Sequence, residues 1–255
     1  MIPIVVSGAR GRLGQRIRRL VEAASDLSLA GCLVRPGTED GERMTSDPSV
    51  ITAGTVLIET GPPAVAERHA EHAAAVGAAV LMATTGFERG ADARFDALAD
   101  RCPFLLAPNL SLGIAVLEDL VRRASAVLGE YDVEIVEAHH RKKVDAPSGT
   151  AWALARAASL ARDGDIERDA ILARAGTTGP RSATEIGMQS IRGGDVVGEH
   201  TVYFLGLADR IELTHRAQDR DVFAHGAVRA ARFLGAPGRS PGRYTMRNVL
   251  GLDPA

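Results

Sequence analysis

Short apolar runs alternate with amphipathic stretches through the first 110 residues. "IPIVVSG" (residues 2–8) is an apolar run closed by glycine, the pattern of a buried strand. "RLGQRIRRLVEAA" (12–24) then places Leu13, Ile17, Leu20, Val21 and Ala24 at helical spacing, with arginines on the opposite face. The alternation recurs, predicting strands over 27–34, 55–61, 78–86 and 103–109 and helices over 64–76 and 91–101. Repeated β–α units of this size predict an α/β fold, a Rossmann-type parallel sheet covered by helices on both faces. Ligands of such sheets bind at the carboxyl ends of the strands, which brings Gly8, Glu59, Thr60, Thr84, Thr85 and Asn109 to one edge.

Beyond residue 110 the pattern changes. "YDVEIVEAHH" (131–140) is rich in β-branched residues and predicts a strand, and 148–163 a helix with Ser148 as its N-cap candidate. Three strands joined by glycine- or Asp-containing turns follow between 185 and 217, predicting an antiparallel or mixed sheet, and a closing amphipathic helix covers 221–235. The expected organisation is a dinucleotide-binding domain over 1–110, completed by 220–255, and an α+β central domain over 111–219 for substrate and assembly. The central sheet has a face left to cover, a natural place for another subunit.

Composition narrows the partners. The chain has 255 residues, 45% apolar and 24% charged, with a formal net charge of -2. Such a balance gives no field for nucleic acid or a membrane surface. Cys32 and Cys102 lie in apolar stretches at no metal-ligand spacing, so buried thiols in a reducing compartment are expected, and no metal. "MIPIVVSGARG" shows neither a basic n-region nor a long apolar run, so the expectation is a cytoplasmic protein.

Two stretches carry chemistry. "GARGRLG" follows the first strand and opens the first helix, with Gly8, Gly11 and Gly14. Glycines allow a tight turn and close approach of backbone N–H groups to a pyrophosphate, which the helix N-terminus favours. The position about 20 residues on, where an acid binds a ribose 2′-hydroxyl, holds Val34 followed by Arg35. Arginine suits a 2′-phosphate, so NADPH is expected over NADH. "EAHHRKKVDAPSGTA" (137–151) sets His139, His140, Arg141, Lys142 and Lys143 before Ser148, Gly149 and Thr150 at a helix start. Open N–H groups and two hydroxyls there suit a carboxylate or phosphate, and histidine and lysine supply proton-transfer groups. A solvated basic loop explains the charge but neither the paired histidines nor the Ser-Gly-Thr cap.

This stretch resembles the signature of the 4-hydroxy-tetrahydrodipicolinate reductase family, also called dihydrodipicolinate reductases, and the resemblance extends over nearly the whole chain. "GARGRLG", "ATTGF", "APNLSLGIAV", "GDVVGEHTVYF", "RIELTHRAQDRDVFAHGAVRAARFL" and "YTMRNVLGL" match the family in order. The resemblance implies a nicotinamide-dependent reduction of a small cyclic dicarboxylate, 4-hydroxy-tetrahydrodipicolinate, in diaminopimelate and lysine biosynthesis. It implies His139 as proton donor/acceptor, Lys143 as proton donor, and His140, Ser148, Gly149 and Thr150 on the substrate carboxylates. It implies cofactor contacts from Gly8, Ala9, Arg10, Gly11, Arg12, Leu13, Arg35, Ala83, Thr84, Thr85, Ala107, Pro108, Asn109 and Leu110, and a homotetramer built through the central domain. The chain departs from the family pattern at Val34, often acidic, at Ala83, usually glycine, and at Glu59-Thr60-Gly61, commonly Asp-Phe-Ser/Thr. Another NAD(P)-dependent imine or amino-acid reductase of the same plan leaves the His139–Thr150 signature unexplained. A non-enzymatic NADP(H) sensor has no need of a proton donor.

Overall fold

The apolar runs of the first 110 residues become strands because their side chains are buried on both faces, as a helix-covered parallel sheet requires. β1 (Ile2–Ser7) leads into α1 (Arg12–Ala23), β2 (Leu27–Leu33) and the two-residue β3 (Met44–Thr45). A 3₁₀ turn at Pro48–Val50 precedes β4 (Val56–Glu59), α2 (Pro63–Val76), β5 (Ala79–Met82), α3 (Ala91–Ala99) and β6 (Pro103–Leu106). β4 and β5 are buried at every position. The computed structural model describes residues 1–88 and 90–252, so the last three residues of the stretch expected to complete the first domain lie outside the described residues.

The chain continues through α4 (Leu112–Val127), β7 (Asp132–His139), α5 (Gly149–Leu160), α6 (Ile166–Asp169), β8 (Ala170–Ile171), β9 (Ile186–Arg192), β10 (Gly198–Leu205) and β11 (Arg210–Ala217). These form a mixed sheet in the order β11-β10-β7-β9-β8. β10 pairs antiparallel with β11 and β7, whereas β9 pairs parallel with β7 and β8. Val133, Ile135, Met188, Val202 and Phe204 form its core with Ile114, Leu117 and Val121 of α4 and Leu154 and Ala158 of α5. The apolar pattern had not singled out α4 as a helix, yet its Ile114, Leu117 and Val121 stand at helical spacing.

The chain closes with α7 (Asp221–Leu234), β12 (Gly242–Tyr244) and α8 (Met246–Leu250). β12 adds beside β6, giving a seven-stranded sheet in the order β12-β6-β5-β4-β1-β2-β3. Every pairing in it is parallel. Two compact units result, one of Met1–Leu112 with the stretch from Asp221 onward, the other of Gly113–Arg220. Among the described residues no helix is long and apolar enough to cross a membrane.

The first unit owes its closure to α7. Arg16 and Arg19 of α1 both bond Asp221 at the α7 N-terminus, where a carboxylate is also favoured by the helix dipole. Arg232 in the last turn donates to both oxygens of Asp26 from Nε and Nη2, at 2.7 and 2.8 Å. In mid-helix, Gly226 lies so close to the chain after β6 that an added Cβ would meet the Leu110 carbonyl oxygen at 1.7 Å. Helix propensity alone favours alanine over glycine by about 1 kcal/mol. Backbone cannot yield as a side-chain tip can, so overpacking of about 1–3 kcal/mol or more should win. Gly226→Ala is therefore expected to lower the melting temperature by several degrees, measured by calorimetry, and an unchanged or higher value would count against this packing.

Candidate active site

Side chains alternate along a strand, so Val133, Ile135, Glu137 and His139 of β7 share one face. The first two fill the core of the second unit. Glu137 continues that face with a carboxylate that is 1% exposed. Register supplies its partners: Ser190 of β9 and His200 of β10 stand opposite Glu137 on either side, and Arg192 stands opposite His139. Glu137 accepts from Arg192 through both of its oxygens at 2.7 and 2.8 Å, from Ser190 Oγ at 2.8 Å, and from the Ser148 backbone N–H at 3.2 Å. His139 Nδ1 lies 2.5 Å from its other side.

Burial alone would raise the Glu137 carboxyl. The hydrogen bonds from Arg192, Ser190 and His139 outweigh that and hold it at about 2, against an ordinary 4.5. The site therefore contains an ionised carboxylate. His139 is also held below its ordinary value, first by burial and then by the charges of Lys143 and Arg192, which together exceed the pull of Glu137. The imidazole is accordingly neutral near pH 7. His200 packs edge-on against it with ring centroids 5.1 Å apart, and burial followed by this neighbour pushes His200 down to about 3. His200 Nε2 lies 3.1 Å from Ser148 Oγ.

The turn after β7 separates the cations that the sequence lists together. Arg141 and Lys142 are exposed, whereas Lys143 turns back and its Nζ lies 2.9 Å from Asp145 Oδ1. Lys143 holds the Asp145 carboxyl below its ordinary value. His140 keeps a buried Nδ1 with no hydrogen-bond partner among the described residues. Ser148 caps α5 as the pattern predicts, accepting from the Ala151 N–H at 3.2 Å. Gly149 is exposed and Thr150 half-buried in the first turn. His139, Lys143, Ser148, Gly149 and Thr150 thus belong to one turn-and-helix segment tied to the sheet through Glu137.

In the first unit, the carboxyl ends of β2, β1, β4, β5 and β6 carry Arg35, the Gly8–Leu13 turn, Thr60, Ala83–Thr85 and Ala107–Leu110 in that order. Gly8 has φ +70, and an added Cβ at Gly14 would lie 2.3 Å from the Gly8 carbonyl oxygen, so both glycines are required by the turn itself. Gly11 caps α1 without a side chain and no acidic residue stands in the first turn, leaving the helix start suited to an external anion. Ala9 is buried, so it can offer only backbone. Arg10 reaches over the loop after β2, bonding the carbonyls of Thr38 and Asp40 and pairing with the Asp40 carboxylate. Arg35 is exposed, Thr84 gives its hydroxyl to Gly61 O at 2.9 Å, and Asn109 Oδ1 accepts from the Ser111 N–H at 2.8 Å.

The unusual Glu59-Thr60-Gly61 set is internally consistent. Glu59 is fully buried, bonding the Gly61 N–H at 2.6 Å and lying 2.8 Å from His69 Nδ1. A Cβ at Gly61 would approach its Oε1 to 2.8 Å, and Thr60 Oγ1 gives its hydrogen to Ser7 O at 2.7 Å.

Comparison with known proteins gives these two sites a common context. Family models described as the N-terminus and the C-terminus of dihydrodipicolinate reductase match residues 2–110 and 113–250. The chain belongs to the dihydrodipicolinate reductase family. It is 45% identical over 269 residues to the 4-hydroxy-tetrahydrodipicolinate reductase of Anaeromyxobacter sp. (strain Fw109-5), covering 100% of both chains. The enzyme of that name from Syntrophotalea carbinolica is 41% identical, covering 99% of this chain and 100% of its own. The fold is similar to that of a dipicolinate-bound dihydrodipicolinate reductase from Paenisporosarcina sp. TG-14, with TM-score 0.78 and 20% identity over 96% of this chain and 97% of that one. The expected α/β fold, with a parallel Rossmann-type sheet and a second, mixed sheet, is the fold this dihydrodipicolinate reductase family member has.

Sequence reasoning passed over Glu137, Ser190, Arg192 and His200. The signal was present for two of them, since Glu137 and His200 occupy core-facing positions of alternating strands. A charged or titratable residue there is rare unless it is paired.

Both perturbed groups make the fold sensitive to acid, in windows set by their own values. His200 is held at about 3 against 6.5, so the unfolded chain takes the proton first and stability falls as pH drops from 6.5 towards 3. Glu137, at about 2 against 4.5, contributes stability that is present above pH 4.5 and lost as pH falls towards 2. Allowing for solvent screening, the Glu137 contribution is on the order of 2 kcal/mol. Urea unfolding across this range should show stability already declining between pH 6.5 and 4.5, with that limb reduced in His200→Asn. A flat profile there would contradict a neutral, buried His200.

Proposed function

We propose that the chain catalyses the NAD(P)H-dependent reduction of 4-hydroxy-tetrahydrodipicolinate to tetrahydrodipicolinate, with loss of water, in diaminopimelate and lysine biosynthesis. The observation that carries this reading is the end-to-end match to relatives of that name. In this reading the unit from Gly113 to Arg220 takes the substrate. His140, Ser148, Gly149 and Thr150 hold its carboxylates, favoured by the α5 N-terminus. His139 serves as proton donor/acceptor and Lys143 as proton donor. The Lys143–Asp145 pair keeps an ammonium within the turn until substrate arrives. An imine or amino-acid reductase of another specificity has less support, because it gives no use to the paired histidines, Lys143 and the Ser-Gly-Thr start of α5.

The first unit fits a dinucleotide through its glycine turn and side-chain-free helix cap. Gly8, Ala9, Arg10, Gly11, Arg12 and Leu13 are assigned to the pyrophosphate and adenosine side, with Arg35. Ala83, Thr84, Thr85, Ala107, Pro108, Asn109 and Leu110 are assigned to the nicotinamide side. Bound there, the nicotinamide supplies a hydride. Assembly as a homotetramer through the central sheet, in the cytoplasm, completes the reading. Its support is the open face of the mixed sheet, where Thr201 and Tyr203 of β10 remain partly exposed between buried neighbours and stand opposite the exposed Thr214 and Glu212 of β11.

Oxidation of NADPH with freshly generated substrate tests the activity directly. Lys143→Ala should lower kcat by on the order of 10² to 10⁴-fold while cofactor still binds, and near-normal turnover would remove Lys143 from its role. Arg35 can meet a 2′-phosphate through charge-assisted hydrogen bonds worth about 1.5–3 kcal/mol, or roughly tenfold to hundredfold in Kd. Its exposure to solvent and salt pulls the preference for NADPH to the lower end. Arg35→Ala should weaken NADPH and leave NADH almost unchanged, and equal losses in paired titrations would deny it that reading. Sedimentation at micromolar concentration should show four copies together, against which a stable monomer would decide.

A further inference from the structure

We infer that Glu137 is a positioning residue that fixes His139 in the Nδ1–H tautomer, so that Nε2 is a proton acceptor before any substrate is bound. The inference rests on the functional reading above and assigns a direction to the first proton movement at His139. Glu137 is ionised and 1% exposed, and an ionised carboxylate only accepts hydrogen bonds. His139 Nδ1, at 2.5 Å from Oε2, must therefore carry the hydrogen. A neutral imidazole has one N–H, which leaves Nε2 bare. Nε2 faces Gly198, where a Cβ would come within 3.0 Å of it, so the absence of a side chain there keeps that nitrogen open.

The same carboxylate cannot turn away. Arg192 grips both of its oxygens, Ser190 holds one, and the Ser148 N–H ties that oxygen to the start of α5. The groups facing His139 are then Glu137 of its own strand, Arg192 of β9, Lys143 of the following turn and His200 of β10. Of these, Lys143 is the group with a proton to give, because Glu137 is ionised and His200 neutral.

Loss of water follows with its atoms and electrons balanced. His139 Nε2 takes a proton from a ring carbon beside the hydroxyl-bearing carbon. The electrons of that C–H bond become the new C=C bond, and the C–O pair leaves with the hydroxyl, which takes a proton from Lys143 Nζ. The resulting imidazolium lies against the Glu137 carboxylate, which stabilises it without accepting its proton. It then returns that proton to the reduced ring. His139 is thus acceptor first and donor second, and Lys143 is the initial acid.

The test reads the tautomer apart from turnover. Two-bond ¹⁵N–¹H spectra of the full chain, with His139 assigned among the seven histidines by its loss in His139→Gln, should show Nδ1–H and a bare Nε2. Glu137→Gln keeps the shape but replaces one acceptor by an N–H donor. Three donors, Arg192 Nη2, Ser190 Oγ and the Ser148 N–H, converge on Oε1 against one, Arg192 Nη1, on Oε2. The amide oxygen therefore takes the Oε1 position, the amide N–H faces Nδ1, and the spectrum should switch to Nε2–H. Turnover should then fall by on the order of 10²-fold or more while pyridine-2,6-dicarboxylate binds within about threefold of wild type. The acid limb of kcat/KM should move to lower pH, because an anion favouring the imidazolium has gone. An Nε2–H tautomer in the wild type overturns the inference, as does a Glu137→Gln chain that loses dicarboxylate binding with the acid limb unmoved. Should the variant not fold, the wild-type spectrum still decides. A wild type that shows Nδ1–H yet fails to reduce 4-hydroxy-tetrahydrodipicolinate would sink the functional reading and leave the tautomer standing.

Discussion

A carboxylate removed from water is tolerated only where its oxygens are saturated by donors, and Glu137 imposes that condition on the second unit. Its donors come from three separate pieces of chain: β9, the end of β7 itself, and the backbone at the start of α5. Satisfying one side chain therefore fixes the β7–β9 register, the turn from His140 to Pro147, and the orientation of His139. A neutral residue of similar shape would make fewer demands and hold less in place.

The electrostatic states of the neighbouring groups follow from this constraint. Burial, with the charges of Lys143 and Arg192, keeps His139 neutral against the pull of Glu137, which directs its hydrogen inward, and burial keeps His200 neutral beside it. Positive charge is confined to Arg192, which is committed to Glu137, and to Lys143, which is paired with the more exposed Asp145. Arg141 and Lys142, prominent in the sequence, remain in solvent. The segment is basic as a string but finely divided in space, with Arg192 bound to a buried carboxylate, Lys143 paired at the turn and Arg141 and Lys142 solvated.

The first unit solves a related problem at the carboxyl end of β4. Glu59 is fully buried with His69 and the Gly61 N–H as partners, and the glycine at 61 is what leaves room for its carboxylate. The departure from the family pattern at Glu59-Thr60-Gly61 is thus a coupled set whose members accommodate one another.

The sequence by itself determined the parallel sheet, the glycine turn, the Ser148 cap and the segment from His139 to Thr150. Each is written in local period or local spacing: apolar runs for buried strands, a 3.6-residue stripe for α1 and α7, and a hydroxyl directly before a helix. The two-residue strand β3, the added edge strand β12 and the short α6 and α8 were not legible, because such brief elements carry no period and exist through their neighbours. The helix α4 carries a readable stripe of Ile114, Leu117 and Val121, which lies between the two sheet patterns. What tertiary structure alone decided is which residues meet. Ser190, Arg192 and His200 lie 53, 55 and 63 residues beyond Glu137 in the chain, and no local pattern encodes that distance. Strand register brings them to one carboxylate, and register is set by how a whole sheet buries its core face, so the partners of Glu137 could emerge only once β7, β9 and β10 had paired.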